Sequence, residues 1–264
     1  MGKITKRQEK RIKYFLKEKA ERRDKQELIH QDGQNKFIDK HLPYIRKIAP
    51  NLDQILIVTS FVTPPVKPGL VDRLLVLAEI ESLNPIICFN KTDLLDNPDE
   101  AKDIVSIYKN IGYDTFASSV KKHENIEEIH ELLKGKRTAL AGHSGVGKSS
   151  LLNAMVPKLK LRVNDVSQAS NKGKHTTTKI RIYSLDKKTD VIDLPGLKLV
   201  DFVDIHRDEA RFYFREFLQY AEQCKFRDCL HLSEIDCAVK NAVNEKLIDA
   251  RRYESYCHFV NSLG

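Results

Sequence analysis

The chain has 264 residues, with 45 Lys+Arg, 37 Asp+Glu, 41% hydrophobic residues and a formal net charge of +8. That length suits one to two domains at about 100–200 residues each, and the apolar content is enough for a packed core, which excludes a disulfide-stapled miniprotein and wholesale disorder. No apolar run approaches the ~20 residues that cross a bilayer, and five unevenly placed cysteines make no disulfide framework, so a cytoplasmic protein with no membrane partner is expected; a monomer is the default expectation, since nothing in the sequence sets the oligomeric state.

In chain order, Ile4–Ile29 lacks Pro and Gly and reads as a basic helix with a thin apolar stripe of Ile12, Phe15 and Leu16. A polar connector runs to Pro50, and from there strands and helices alternate. Gln54–Thr59, Ile86–Phe89, Thr115–Ala117 and Arg137–Ala141 read as strands; a helix after Pro68-Gly69 and helices over Pro98–Asn110, Ile126–Leu133 and Lys148–Met155 lie between or after them. Lys179–Ser184 and Asp190–Ile192 read as two further strands, and a helix is expected over Ile205–Tyr220. Alternation of this kind predicts a mostly parallel sheet covered on both faces.

The charge is unevenly placed. Residues 1–50 carry 15 Lys+Arg and 7 Asp+Glu, which accounts for the whole excess. A basic arm on a neutral body fits a polyanionic partner such as nucleic acid, or a solvated tail. Residues 134–181 carry 11 Lys+Arg against Asp165 alone, a second basic stretch that acidic residues elsewhere hide in the total.

Gly142-His143-Ser144-Gly145-Val146-Gly147-Lys148-Ser149 fills every fixed position of G-x-x-x-x-G-K-[ST], after a strand and before a helix. Its glycines let backbone N–H groups surround phosphates, Lys148 brings a point charge to the β and γ groups, and the Ser149 hydroxyl is placed for Mg²⁺. The expected phosphate contacts run through Ser150, with His143 pointing outward. Asp193-Leu194-Pro195-Gly196 is a D-x-x-G element, in which Asp193 would hold the metal through water and the Gly196 N–H would sense the γ-phosphate. Between the two, the His175–Thr178 run reads as a switch, with Thr177 as its candidate Mg²⁺ ligand; the alternative is a plain strand edge.

Asn90-Lys91-Thr92-Asp93 ends a buried strand. A carboxylate at Asp93 accepts from guanine N1–H and N2, donors that adenine does not present, so the nucleotide expected is GTP or GDP. The Lys91 stem would lie over the base, Asn90 would tie this loop to the phosphate loop, and Ser119-Val120-Lys121 would complete the base contacts. Leu197 occupies the place after D-x-x-G where a glutamine often positions the attacking water. His175 is therefore the candidate for that role, with RNA contact or packing as its other readings. Cys224-x4-Cys229-x-His231-x5-Cys237 gathers three thiols and one imidazole in 14 residues, as a closed structural Zn²⁺ site does. Cys88 and Cys257 read as core residues.

Asn90 precedes Gly142 by 52 residues, the reverse of the usual GTPase order. The sequence thus resembles the circularly permuted GTPases. Leu52-Asp53-Gln54, Gly142–Ser150, His175–Thr178 and the C-terminal cysteine block are similar to those of the RsgA (YjeQ) family. The resemblance implies a GTP-hydrolysing domain over residues 50–203, a helical zinc-binding domain over 204–264, and the 30S ribosomal subunit and its rRNA as partner. Residues 1–49 depart from that family, because a basic helix stands where an OB-fold barrel is usual. Three other readings stay open: an RNA-binding adaptor with negligible hydrolysis, a permuted GTPase of the large subunit, and an ATP-dependent kinase or ATPase.

Overall fold

A computed structural model describes residues 49, 51–161, 180–193 and 205–263. The basic helix expected over Ile4–Ile29 lies outside the described residues. Those described divide into two compact units, one drawn from residues 49–79 and 83–193 and the other from residues 80–82 and 205–263.

The larger unit is a six-stranded sheet. Its strands are β1 Gln54–Ser60, β2 Asn84–Asn90, β3 Asp114–Ala117, β4 Arg137–Ala141, β5 Arg181–Ser184 and β6 Asp190–Asp193. Their spatial order is β3-β2-β1-β4-β6-β5, parallel throughout except for the antiparallel β5–β6 pair. The central strand β1 is buried along nearly its whole length, as a continuous aliphatic run covered on both faces must be. Its register sets Ile57 beside Ile87 on one side and Ala141 on the other. Helices α1 Pro68–Ile80, α2 Pro98–Ile111, α3 Ile126–Leu133 and α4 Lys148–Met155 supply the covering layers.

The period of two along a strand sorts the core. Leu56, Val58, Ile86 and Cys88 pack with Ile126, Ile129 and Leu133 of α3 and Leu151, Leu152 and Met155 of α4. On the other face the Phe89 ring lies 5.3 Å from Phe61 and 5.6 Å from Tyr108 of α2. The Tyr108 hydroxyl donates to Asp72 of α1 at 3.0 Å. Asn97 starts α2 by accepting the Asp99 N–H at 3.0 Å, with Pro98 in the first turn, and Gly112 ends it at φ 94°. At the sheet edge β5 is mostly exposed.

The smaller unit differs from expectation. Residues 205–220 do not form one helix: they give 3₁₀ turns at Ala210–Tyr213 and Arg215–Phe217, followed by the short α5 Leu218–Ala221. Phe214 breaks the run with an extended backbone (φ −103°, ψ 96°), which lets its ring and that of Phe217 both enter the core. There Phe217 lies 4.7 Å from Tyr256, and Phe214 lies 5.1 Å from the same ring. Two helices complete the unit, α6 Ala238–Asn244 and α7 Ala250–Asn261. Arg252 of α7 is buried, bonds Glu216 at 2.7 and 3.2 Å, and lies over the Phe214 ring at 4.7 Å.

Candidate functional site

The loop from β4 to α4 carries Gly142–Gly147. A Cβ at Gly142 (φ 138°) would lie 2.0 Å from the Val58 carbonyl oxygen, so only glycine lets the loop leave β4 beside β1. Gly147 (φ 99°) opens α4, and a Cβ there would meet the Asn90 amide at 2.3 Å. The Lys148 ammonium folds back onto the Gly142 and His143 carbonyls at 2.7 and 3.0 Å. The half-buried His143 ring places Nδ1 2.9 Å from the Ser144 carbonyl, and Ser144 itself is exposed. Ser149 and Ser150 lie in the first turn of α4, and the pairing of β6 with β4 sets Asp193 beside Leu140, two residues before Gly142.

The carboxyl end of β2 brings the second element to the same place. Buried Asn90 donates through Nδ2 to the Val146 carbonyl at 2.9 Å. Lys91, in the left-handed region at φ 65°, donates to the Gly145 carbonyl at 2.6 Å. The Asn90–Asp93 and Gly142–Ser149 loops are thus tied together by two direct bonds. Burial lowers the Lys91 ammonium below the usual lysine range, while Asp93 works the other way. Ser119 donates to Asp93 Oδ1 at 2.6 Å, which holds the carboxylate in place. Asn90, Lys91, Asp93, Leu94, Val120, Lys121, Gly147 and Ser150 line one cavity of about 320 Å³. Thr92 does not line it. Its hydroxyl turns to the Ser118 carbonyl at 3.2 Å and to Glu124 at 2.9 Å, bracing the loop from behind.

The cysteine block forms a second cluster. One ligand atom from each of Cys224, Cys229, His231 and Cys237 lies within 4.8 Å of the others. Sγ of Cys224 and Cys237 are 3.8 Å apart, and His231 Nδ1 lies 3.5 and 3.4 Å from them. His231 takes a left-handed backbone (φ 58°). Tyr253 and Tyr256 of α7 donate to the His231 and Leu230 carbonyls, each at 2.7 Å, and Glu234 accepts the Leu230 and Leu232 N–H groups at 2.6 and 2.8 Å.

Residues 29–203 match the family model described as RsgA GTPase. The chain belongs to the RsgA GTPase family. It is 39% identical over 212 residues to the small ribosomal subunit biogenesis GTPase RsgA of Caldanaerobacter subterraneus subsp. tengcongensis, which covers 80% of this chain and 71% of the relative. Identity to the protein of the same name from Bacillus subtilis is 40% over 222 residues, or 83% of this chain and 74% of that one. Among solved structures it is similar to YjeQ from Thermotoga maritima, with a TM-score of 0.70, 36% identity, and 87% and 77% of the two chains covered. YloQ, described as a circularly permuted GTPase, gives a TM-score of 0.65 at 32% identity, covering 81% and 68%. The permuted order and the GTPase class expected from the motifs are therefore those of the RsgA family.

GTPases of this kind work with Mg²⁺. The residues expected for it divide: Ser149 and Asp193 are described as above, whereas Thr177 lies outside the described residues, as do His175 and Gly196. For the cysteine cluster, tetrahedral Zn²⁺ with Zn–S of about 2.3 Å and Zn–N of about 2.0–2.1 Å requires S···S near 3.8 Å and S···N near 3.5 Å; the separations among Cys224, His231 and Cys237 fit, and Cys229 lies within 4.8 Å of them. Burial holds the His231 imidazole down at about 4, with Arg211 adding to the effect, so the ring is neutral, the form that ligates. Burial also pushes the Cys229 thiol up to about 12 and raises Cys237, so thiolates there call for a cation among them. Nδ1 faces the cluster, and buried Nε2 has no hydrogen-bond partner.

Sequence reasoning did not find Ser118, Leu94 or Glu124. The Ser118 hydroxyl donates to Asn90 Oδ1 at 3.3 Å and sits 3.1 Å from Cys88 Sγ, so it orients the amide that joins the two loops. Its only sequence signal was adjacency to Ser119-Val120-Lys121. Cys88 is buried as expected, and burial pushes its thiol up to about 12. Cys257 is only half-buried on α7 rather than a core residue, because it sits beside the buried face formed by Tyr256, Phe259 and Val260.

Proposed function

We propose that this GTPase acts in biogenesis of the small ribosomal subunit, binding the 30S particle through its rRNA, with the nucleotide state gating that contact. The observation that carries the nucleotide half is the pair of bonds from Asn90 and Lys91 to the phosphate loop, which puts Asp93 and Gly147 on one cavity. In this reading Asp93 accepts from guanine, Lys91 and Leu94 wall the base, and Val120 and Lys121 close its far side. The Gly142–Ser150 backbone and Lys148 hold phosphates, and Ser149, Thr177 and Asp193 hold Mg²⁺, which supplies neutralising charge at the β and γ groups. His175 orients the water. Cys224, Cys229, His231 and Cys237 hold a structural Zn²⁺ that cross-links residues 204–264 as a separate domain from residues 50–203. The ribosomal half is supported by the curated names of the relatives and by the basic stretches at residues 1–50 and 134–181.

Co-sedimentation with purified 30S and 50S particles, with GDP and with a non-hydrolysable GTP analogue, tests the proposal. Binding to 30S alone, and only with the analogue, is the expected result; preference for 50S overturns it. Leu197, which cannot hydrogen-bond a water, favours a second reading in which the chain is a nucleotide-gated adaptor that barely turns over. Turnover that stays negligible when 30S particles are added would select it.

A further inference from the structure

Lys91 is held from two sides. Besides the Gly145 carbonyl, its Nζ reaches the Thr63 carbonyl at 2.6 Å. Thr63 belongs to none of the nucleotide motifs and lies in the turn after β1. That turn is built rather than slack. β1 pairs with β2 up to its last residue, Ser60 opposite Asn90, and the Phe61 N–H continues the ladder to the Asn90 carbonyl at 3.4 Å. The Val66 N–H returns to the Phe61 carbonyl at 3.4 Å, and Val62 and Pro65 form a bridge. Inside the turn the fully buried Ser60 hydroxyl accepts from the Thr63 N–H and donates to the Thr63 carbonyl, both at 3.3 Å.

We infer that Ser60 is a positioning residue for guanine-nucleotide binding: by orienting the Thr63 peptide it anchors the Lys91 ammonium and so keeps the Lys91 stem as a wall of the base cavity. An ammonium has three donors on a flexible four-carbon stem. Two carbonyls from separate segments fix its direction, whereas one leaves the stem free to swing away from Asp93 and Leu94. The bond to Gly145 would then be shared with alternative rotamers, and the phosphate loop would lose part of its tie to β2. Ser60 touches no nucleotide in this scheme and acts only through Lys91. The inference rests on the assignment of the cavity to guanine.

The test is a double-mutant cycle on the full chain, read as dissociation of a fluorescent GDP analogue. The variants are Ser60→Ala, Lys91→Met and both together. Ser60→Ala is expected to speed release and raise KM for GTP by about 3- to 10-fold, the scale of one neutral hydrogen bond, while kcat moves less than the KM. In the Lys91→Met background Ser60→Ala should add nothing. Equal effects in both backgrounds would mark Ser60 as merely structural and overturn the inference, as would no effect in either. Pro65→Gly, at an exposed position of the same turn, gives a second route to the same cycle if Ser60→Ala fails to fold. An unmutated chain that binds GDP no better than ADP would instead defeat the guanine assignment itself.

Discussion

In the sheet unit, the groups that line the cavity sit on loops at the carboxyl ends of β2, β3 and β4 and are fixed largely by backbone. The Val146, Gly145 and Ser118 carbonyls receive Asn90, Lys91 and Thr92, and Gly142 passes β1 with no room for a side chain. In the smaller unit the four ligand atoms sit among aromatic rings, on a segment made of 3₁₀ turns and helices of 4 to 12 residues. The first site is the by-product of a core that is complete without its ligand. The second is part of the core of its unit. Occupancy should therefore govern affinity in one and folding in the other.

Removing the proposed Zn²⁺ is the largest perturbation. Chelation, or Cys237→Ser, should unfold residues 205–263, since closed zinc sites supply about 10–16 kcal/mol in small domains. Hydrogen exchange should report loss of protection across α6 and α7, while GDP affinity changes by less than two-fold. Loss of GDP affinity on the same scale would show that the units do not fold independently.

Next comes the buried pair of Arg252 and Glu216, whose side chains are 3% and 8% exposed. Arg252→Met strands a buried carboxylate and should cost about 3–5 kcal/mol in denaturant unfolding of the small unit. Adding Glu216→Leu should recover much of that, because two apolar groups need no partner. If the double variant is as unstable as the single, the cation over the Phe214 ring, rather than the ion pair, is what the unit needs.

Asp93→Asn probes the other site. It should lower GDP affinity about 10²–10³-fold, since an amide cannot accept from both guanine donors, and it should favour xanthosine diphosphate, whose C2 carbonyl an amide N–H can meet. Thermal stability should be unchanged. A shift in melting with no change in base preference would mean that Asp93 serves Ser119 and the loop instead of the ligand.

The contrast also explains what the sequence disclosed. Strands such as Gln54–Ser60 are continuous aliphatic runs, and the phosphate loop is constrained by backbone geometry, so both leave periodic or fixed-spacing marks. Ser118 and Glu124 act through a carbonyl, a hydroxyl and a carboxylate whose partners lie 26 to 32 residues away, and nothing local marks them. The cysteine spacing was legible because four ligands lie close together in the chain. Phe214 and Phe217 stand at helical spacing, which predicts one helix over residues 205–220, yet the backbone is extended at Phe214 and both rings enter the core.

The smallest effect is the one that tests how far the proposed Zn²⁺ site depends on the helices of the small unit. Asp249 caps α7: its carboxylate accepts the Arg251 N–H at 2.9 Å, and the Arg251 guanidinium reaches it at 2.9 and 3.0 Å. Those side-chain bonds to Arg251, more than the backbone one, hold the carboxyl below its ordinary value of 3.8. The sign follows from linkage: a folded value below the unfolded one gives stability that is present above about pH 4 and lost as pH falls through the folded value. Asp249→Ala should cost about 1 kcal/mol at pH 7 and progressively less in acid, while Asp249→Asn, which keeps the cap, should cost only the few tenths that a half-exposed ion pair supplies. Because α7 carries the Tyr253 and Tyr256 hydroxyls that hold the His231 and Leu230 carbonyls, a frayed α7 should also release zinc to a chelator faster, with no change in GDP release. Zinc transfer as slow in Asp249→Ala as in the unaltered chain would mean that Glu234, Arg211 and Lys240 hold the ligand loop without α7, and that α7 covers the centre without positioning it.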